Sequence, residues 1–74
     1  MGSAFTTFCL NDEGQVIYTY GESEDLEKAI QVGKEMLEQR DDAQYAMVIE
    51  NVVVRHGRMI TFDVQFKWHG AKDK

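Results

Sequence analysis

Apolar positions along the chain change period twice, and the changes divide it into five elements. Residues 4–10 mix Phe5, Phe8, Cys9 and Leu10 with Thr6 and Thr7, a composition that favours a strand. Asn11-Asp12-Glu13-Gly14 is turn chemistry, because Asx side chains bond nearby backbone and Gly supplies positive φ. Residues 15–20 are rich in β-branched and aromatic side chains and predict a second strand, paired with the first as a hairpin. The period then becomes helical. Leu26, Ala29, Ile30, Gly33, Met36 and Leu37 recur at three- and four-residue spacing, with Glu27, Lys28, Gln31, Lys34, Glu35 and Glu38 on the opposite side. Ser23 is the expected N-cap, and Glu24 and Asp25 suit the positive end of the helix dipole. Gly33 lies on the apolar stripe at a cost of about 1 kcal/mol of helix propensity against Ala, which implies a helix lying close to a sheet. Arg40-Asp41-Asp42 closes this segment.

Residues 44–55 and 58–68 return to strand patterning on either side of His56-Gly57, which fits a two-residue hairpin loop. That loop would pair Arg55 with Arg58. One face of the hairpin then carries Tyr45, Met47, Ile49 and Val53 opposite Ile60, Val64, Phe66 and Trp68, with Asn51 opposite Phe62. Being the more hydrophobic face, it is the one expected under the helix. The other face carries Ala46, Val48, Val52, Val54 and Met59, with Glu50 directly across from Asp63. The order is ββαββ. The expected fold is α+β: one four-stranded, mostly antiparallel sheet in the order 2-1-3-4, with one helix packed on one face.

Seventy-four residues make one domain, with residues 4–69 as the ordered core and 70–74 as a loose tail. Thirteen acidic residues against eight basic ones give a net charge of −5. That balance opposes binding to a phosphate backbone or an anionic membrane. Residues 1–3 begin no signal-peptide pattern, and no apolar run approaches the roughly 20 residues of a membrane span. Cys9 is the single cysteine, so no intrachain disulfide forms, and a reducing, cytoplasmic setting is the expectation.

Candidate chemistry is sparse. Cys9 sits mid-strand among aromatics and reads as a small core residue. Glu50 opposite Asp63 would make a repulsive cross-strand pair, relieved by Lys67. No third ligand completes a metal site, and no cofactor or catalytic residue is expected. Arg55, His56 and Arg58 form a polar tip, expected to lie over the helix entrance near Glu22, Glu24 and Asp25. One helix covers one side of a sheet, so the other needs a partner. Val48, Val52, Val54 and Met59 are the candidate interface. These features predict a small acidic protein-binding module of adaptor, inhibitor or antitoxin-like type, homodimeric through the helix-free face. The competing expectation is a small-ligand or nucleic-acid binder using Phe5, Tyr18 and Tyr20 with the Arg55-His56-Gly57-Arg58 turn.

Overall fold

The computed structural model describes residues 4–72, with the side chain of Glu22 outside that description. Expectations that fell on residues 1–3 and 73–74 lie outside the described residues. The elements are β1 (Ala4–Leu10), β2 (Val16–Ser23), α1 (Leu26–Gln39), β3 (Tyr45–His56) and β4 (Met59–Ala71). The four strands form one antiparallel sheet in the order β2-β1-β3-β4, with α1 on one face. Fold class, element order and strand order are those the sequence predicts.

Local chemistry sets the joins. Asn11 Oδ1 accepts from the amides of Glu13 and Gln15, and Gly14 supplies a φ of 81°. β2 continues through Ser23, past the expected break at Gly21. The helix cap is Asp25, not Ser23: Asp25 Oδ1 accepts from the Glu27 amide at 3.0 Å, while Ser23 Oγ accepts from the Asp25 amide one step earlier. Such a cap contributes about 1 kcal/mol. At the other end, the Arg40 amide donates to the Met36 carbonyl, and Lys72 Nζ donates to the Arg40 carbonyl at 2.7 Å. The tail expected to be loose therefore begins later. Gly70 and Ala71 belong to β4, and the Lys72 amide bonds the Gln44 carbonyl at 2.8 Å.

The helix packs on small residues. Ala29, Gly33 and Leu37 are buried, and Phe5, Thr7 and Cys9 of β1 with Ala46 and Val48 of β3 meet them. Thr7 Oγ1 donates to the Ala29 carbonyl at 2.9 Å, which fixes helix against sheet. A Cβ built on Gly33 would stand 2.9 Å from the Trp68 ring, so glycine sets this approach. The same ring lies over Gly70, where a Cβ would be 2.7 Å away. Trp68 thus fills the gap between α1 and β4.

This packing inverts the predicted orientation of the second hairpin. The loop is Gly57-Arg58, and His56 pairs with Met59 rather than Arg55 with Arg58. Gly57 has a φ of 63° and Arg58 does not enter that region, a pattern that matches a type II′ turn. The pairing slips by two residues, so each strand keeps its alternation. The error lay in which face turns inward. The helix takes the side with Ala46 and Val48, both almost fully buried, and leaves Tyr45, Val53, Ile60, Phe62, Val64 and Phe66 on the other. Beneath Gly33 lie the small side chains of Thr7 and Ala46, and the Trp68 ring fits where Gly33 and Gly70 carry no side chain. One bulge completes the arrangement. Ile49 pairs with Phe66 but Val48 with Trp68, so Lys67 is the extra residue. The bulge switches Trp68 to the helix side while Phe66 stays on the outer face.

Candidate functional site

β3 and β4 outrun the rest of the sheet. Among the described residues the β1–β3 ladder runs as far as Ala4 opposite Asn51. Among the described residues, 52–56 pair only with β4, so the hairpin end is a two-stranded arm. The molecule measures 49 × 23 × 16 Å, elongated by this arm.

Six of the nine large hydrophobics exposed among the described residues lie on the outer face of the hairpin. Phe62 and Phe66 are each 75% exposed, Ile60 51%, Val64 50%, Val53 43% and Tyr45 40%. With roughly 150–250 Å² to an aromatic side chain, these six leave on the order of 600 Å² of mainly apolar surface in water. That is the upper end of what a monomer normally shows. Strand alternation also sorts charge. Glu50 and Asp63 point to the helix side. The helix, its N-terminal entrance and the turn before β3 hold Glu24, Asp25, Glu27, Glu35, Glu38, Asp41 and Asp42. Among the described side chains of β3 and β4, the outer face bears no carboxylate and one full cation, Arg55, paired with Ile60 near the tip.

The predicted interface residues fall elsewhere. Val48 is 0% exposed and packs beneath the helix with Ala29 and Phe5, so it faces no partner. Val52, Val54 and Met59 share its side of the sheet, on the arm beyond the helix start: the two valines are half-buried and Met59 is exposed. None of the four lies on the helix-free face. Placing them there followed from ranking the faces by hydrophobicity instead of volume. The residues that do occupy that face, Phe62 and Phe66 above all, had a sequence signal: Gly33 and Ala29 on the helix stripe call for the small-residue face of β3.

Arg55, His56 and Arg58 are exposed at the arm tip. Arg55 points away from the helix, contrary to expectation. The ion pairs among described side chains are Arg40 with Asp42 and Lys67 with Glu50, so neither Arg55 nor Arg58 is joined to Glu24 or Asp25. The tip extends beyond the four-stranded part of the sheet instead of closing over the helix entrance. Glu50 sits opposite Gln65, and Asp63 opposite Val52, so the two carboxylates are diagonal neighbours, not a directly opposed pair. Lys67 Nζ lies 3.9 Å from Glu50 Oε1, brought there by the bulge. Among the described residues no group of three or more His, Cys, Asp or Glu is gathered as for a metal ion.

The aromatic residues expected to form a base-stacking platform lie on the helix side of the sheet, not on its open face. Phe5 is buried. Tyr18 and Tyr20 pair with Cys9 and Thr7 on the helix side, and the Arg40 guanidinium lies 5.3 Å from the Tyr18 ring centroid. Arg40 also makes a two-bond contact with Asp42, at 3.2 and 3.3 Å, which holds that carboxyl below its usual range. Burial pushes the Cys9 thiol above its ordinary value, with Arg40 nearby pulling it down and Asp42 pushing it up. Because the thiolate is the reactive form, Cys9 is expected to react with a disulfide reagent at pH 8 on the order of 100-fold or more slower in the folded protein than in denaturant. Equal rates would show that the first hairpin opens freely.

Among the described residues no helix is long and apolar enough to cross a membrane. Comparison with protein families, curated proteins and solved structures found no match to this chain.

Proposed function

We propose that this protein is a small acidic, non-enzymatic protein-binding module of adaptor, inhibitor or antitoxin-like type, cytoplasmic and homodimeric through the helix-free face of its sheet. The observation that carries this reading is the outer face of β3–β4, with its 75% exposed Phe62 and Phe66. An apolar face of on the order of 600 Å² approaches the roughly 800 Å² that each partner contributes to a standard interface. A polar rim supplies the remainder. The single buried thiol accords with a reducing compartment, and the acidic helix face with a partner carrying a basic surface.

Light scattering at about 100 µM tests the dimer, since any micromolar Kd then gives mostly dimer. The expected mass is twice that of the chain, and Phe66→Asp is expected to reduce it to one chain. A wild type at monomer mass would remove the homodimer from this reading.

A further inference from the structure

We propose that two copies stack helix-free face to helix-free face with their arms crossed, each arm lying over the body of the other. This rests on the homodimer reading and specifies its geometry. Three observations bear on it.

The first is shape. At the arm end the outer face carries the large exposed side chains of Val53, Ile60 and Phe62. At the opposite end it is hollow: Leu10, Tyr45, Met47 and His69 border a depression of about 590 Å³. A two-fold axis along the strands would set bulk on bulk and hollow on hollow. An axis across the strands sets each bulky end over the other copy's hollow, and the two-fold makes that fit twice. Midway along the hairpin lies the gap between the row Asn51·Val64 and the row Ile49·Phe66. With the axis there, Phe62 falls over Met47 and His69 of the second copy.

The second is charge. Arg55 is the full cation of this face among the described side chains of β3 and β4. Stacking arm over arm would bring two Arg55 guanidinium groups together. Crossing the arms places each Arg55 over the partly exposed Tyr45 ring of the second copy, an attractive arrangement. The acidic helices lie on the two outer surfaces, where two chains of net charge −5 repel least.

The third is the edge of β4. Among the described residues that edge is unpaired, and edge-to-edge joining is the competing geometry. It would leave Phe62 and Phe66 still facing water, whereas stacking covers both.

Single cysteines read the geometry, because native Cys9 is buried. With sheets about 10 Å apart and about 3.4 Å per residue, crossed arms put the two Val64 Cα atoms about 12 Å apart and the two Ile60 Cα atoms about 35 Å apart. Val64→Cys and Ile60→Cys are each confirmed as dimers by light scattering, then treated with a bismaleimide of medium span. The expected result is a cross-linked dimer for Val64→Cys and none for Ile60→Cys. Cross-linking at Ile60→Cys would overturn the crossed arrangement in favour of arm-over-arm or edge-to-edge joining, with the homodimer itself intact. A monomeric wild type would defeat the homodimer reading instead. Arg55→Ala gives an independent measure needing no cross-linker. Losing two cation–ring contacts per dimer is expected to weaken Kd about five-fold or more. A tighter Kd would mean that the guanidinium groups had been repelling one another, which overturns the crossing.

Discussion

Val48→Asp is expected to leave the chain largely unfolded at ambient temperature, while Phe62→Asp leaves it folded. The two positions have similar hydrophobic character in sequence and opposite surroundings in the fold. Val48 is 0% exposed, set between Ala29 of the helix and Phe5 of β1. Replacing it forfeits about 1.5–3 kcal/mol of apolar burial and sets a carboxylate in the core at a further several kcal/mol. The sum is comparable to the whole stability of a chain this size, about 4–11 kcal/mol at 0.05–0.15 kcal/mol per residue. Phe62 is 75% exposed. An Asp there is already in water and changes monomer stability by no more than about 0.5–1 kcal/mol, while it places charge in the proposed dimer interface. Circular dichroism with urea titration of both variants, under conditions where each is monomeric, checks the contrast. A folded Val48→Asp would mean that the hairpin can sit on the helix by its other face.

Gly33→Val is expected to be the most damaging conservative change in the helix. By propensity alone it is favourable by a few tenths of a kcal/mol. The structure reverses the sign. The first added carbon would lie 2.9 Å from the Trp68 ring and 3.4 Å from both Ala46 Cβ and Thr7 Cγ2. Trp68 cannot retreat freely, because its ring also lies against Gly70. Overpacking costs about 1–3 kcal/mol, and a branched side chain wedged against an aromatic ring belongs at or above the top of that range. At about 4–8 °C of Tm for each kcal/mol in a domain of this size, a loss of 3 kcal/mol lowers Tm by roughly 12 °C or more. Gly33→Ala adds that same first carbon without the branch, with about 1 kcal/mol of helix propensity to offset it, and is expected to lower Tm by clearly less than Gly33→Val. Thermal melts of the two variants side by side provide the measurement. A Gly33→Val protein as stable as the wild type would mean that α1 stands farther from the sheet.

The two variants also mark where sequence reasoning went astray. Gly33 announced a close helix–sheet approach, and that inference implies a small-residue face opposite it. Thr7, Cys9, Ala46, Val48 and Gly70 are that face. Hydrophobicity instead pointed to Tyr45, Met47, Ile49, Phe62 and Phe66, which carry more apolar area than Thr7, Ala46 and Gly70 but lack their close fit to Gly33 and the Trp68 ring. The interface assigned to Val48, Val52, Val54 and Met59 failed with that choice.

By itself the sequence determined the elements and their order, because these rest on period, turn chemistry and local backbone preference. The shift from strand patterning to the helical stripe of Leu26, Ala29, Ile30 and Gly33 requires nothing distant. Strand order was accessible for the same reason, since short connections leave few unknotted antiparallel arrangements. Three matters were decided only in the tertiary structure. Which face of a doubly apolar hairpin turns inward depends on volume matched across residues far apart in sequence, as Gly33 is from Ala46 and Trp68. The bulge at Lys67, which sends Trp68 inward and Phe66 outward, has no strong local signature and follows from the ring's fit between Gly33 and Gly70. The direction of Arg55, paired with Ile60 and turned away from the helix, follows from which face of the hairpin the helix takes, and that is a property of the assembled sheet.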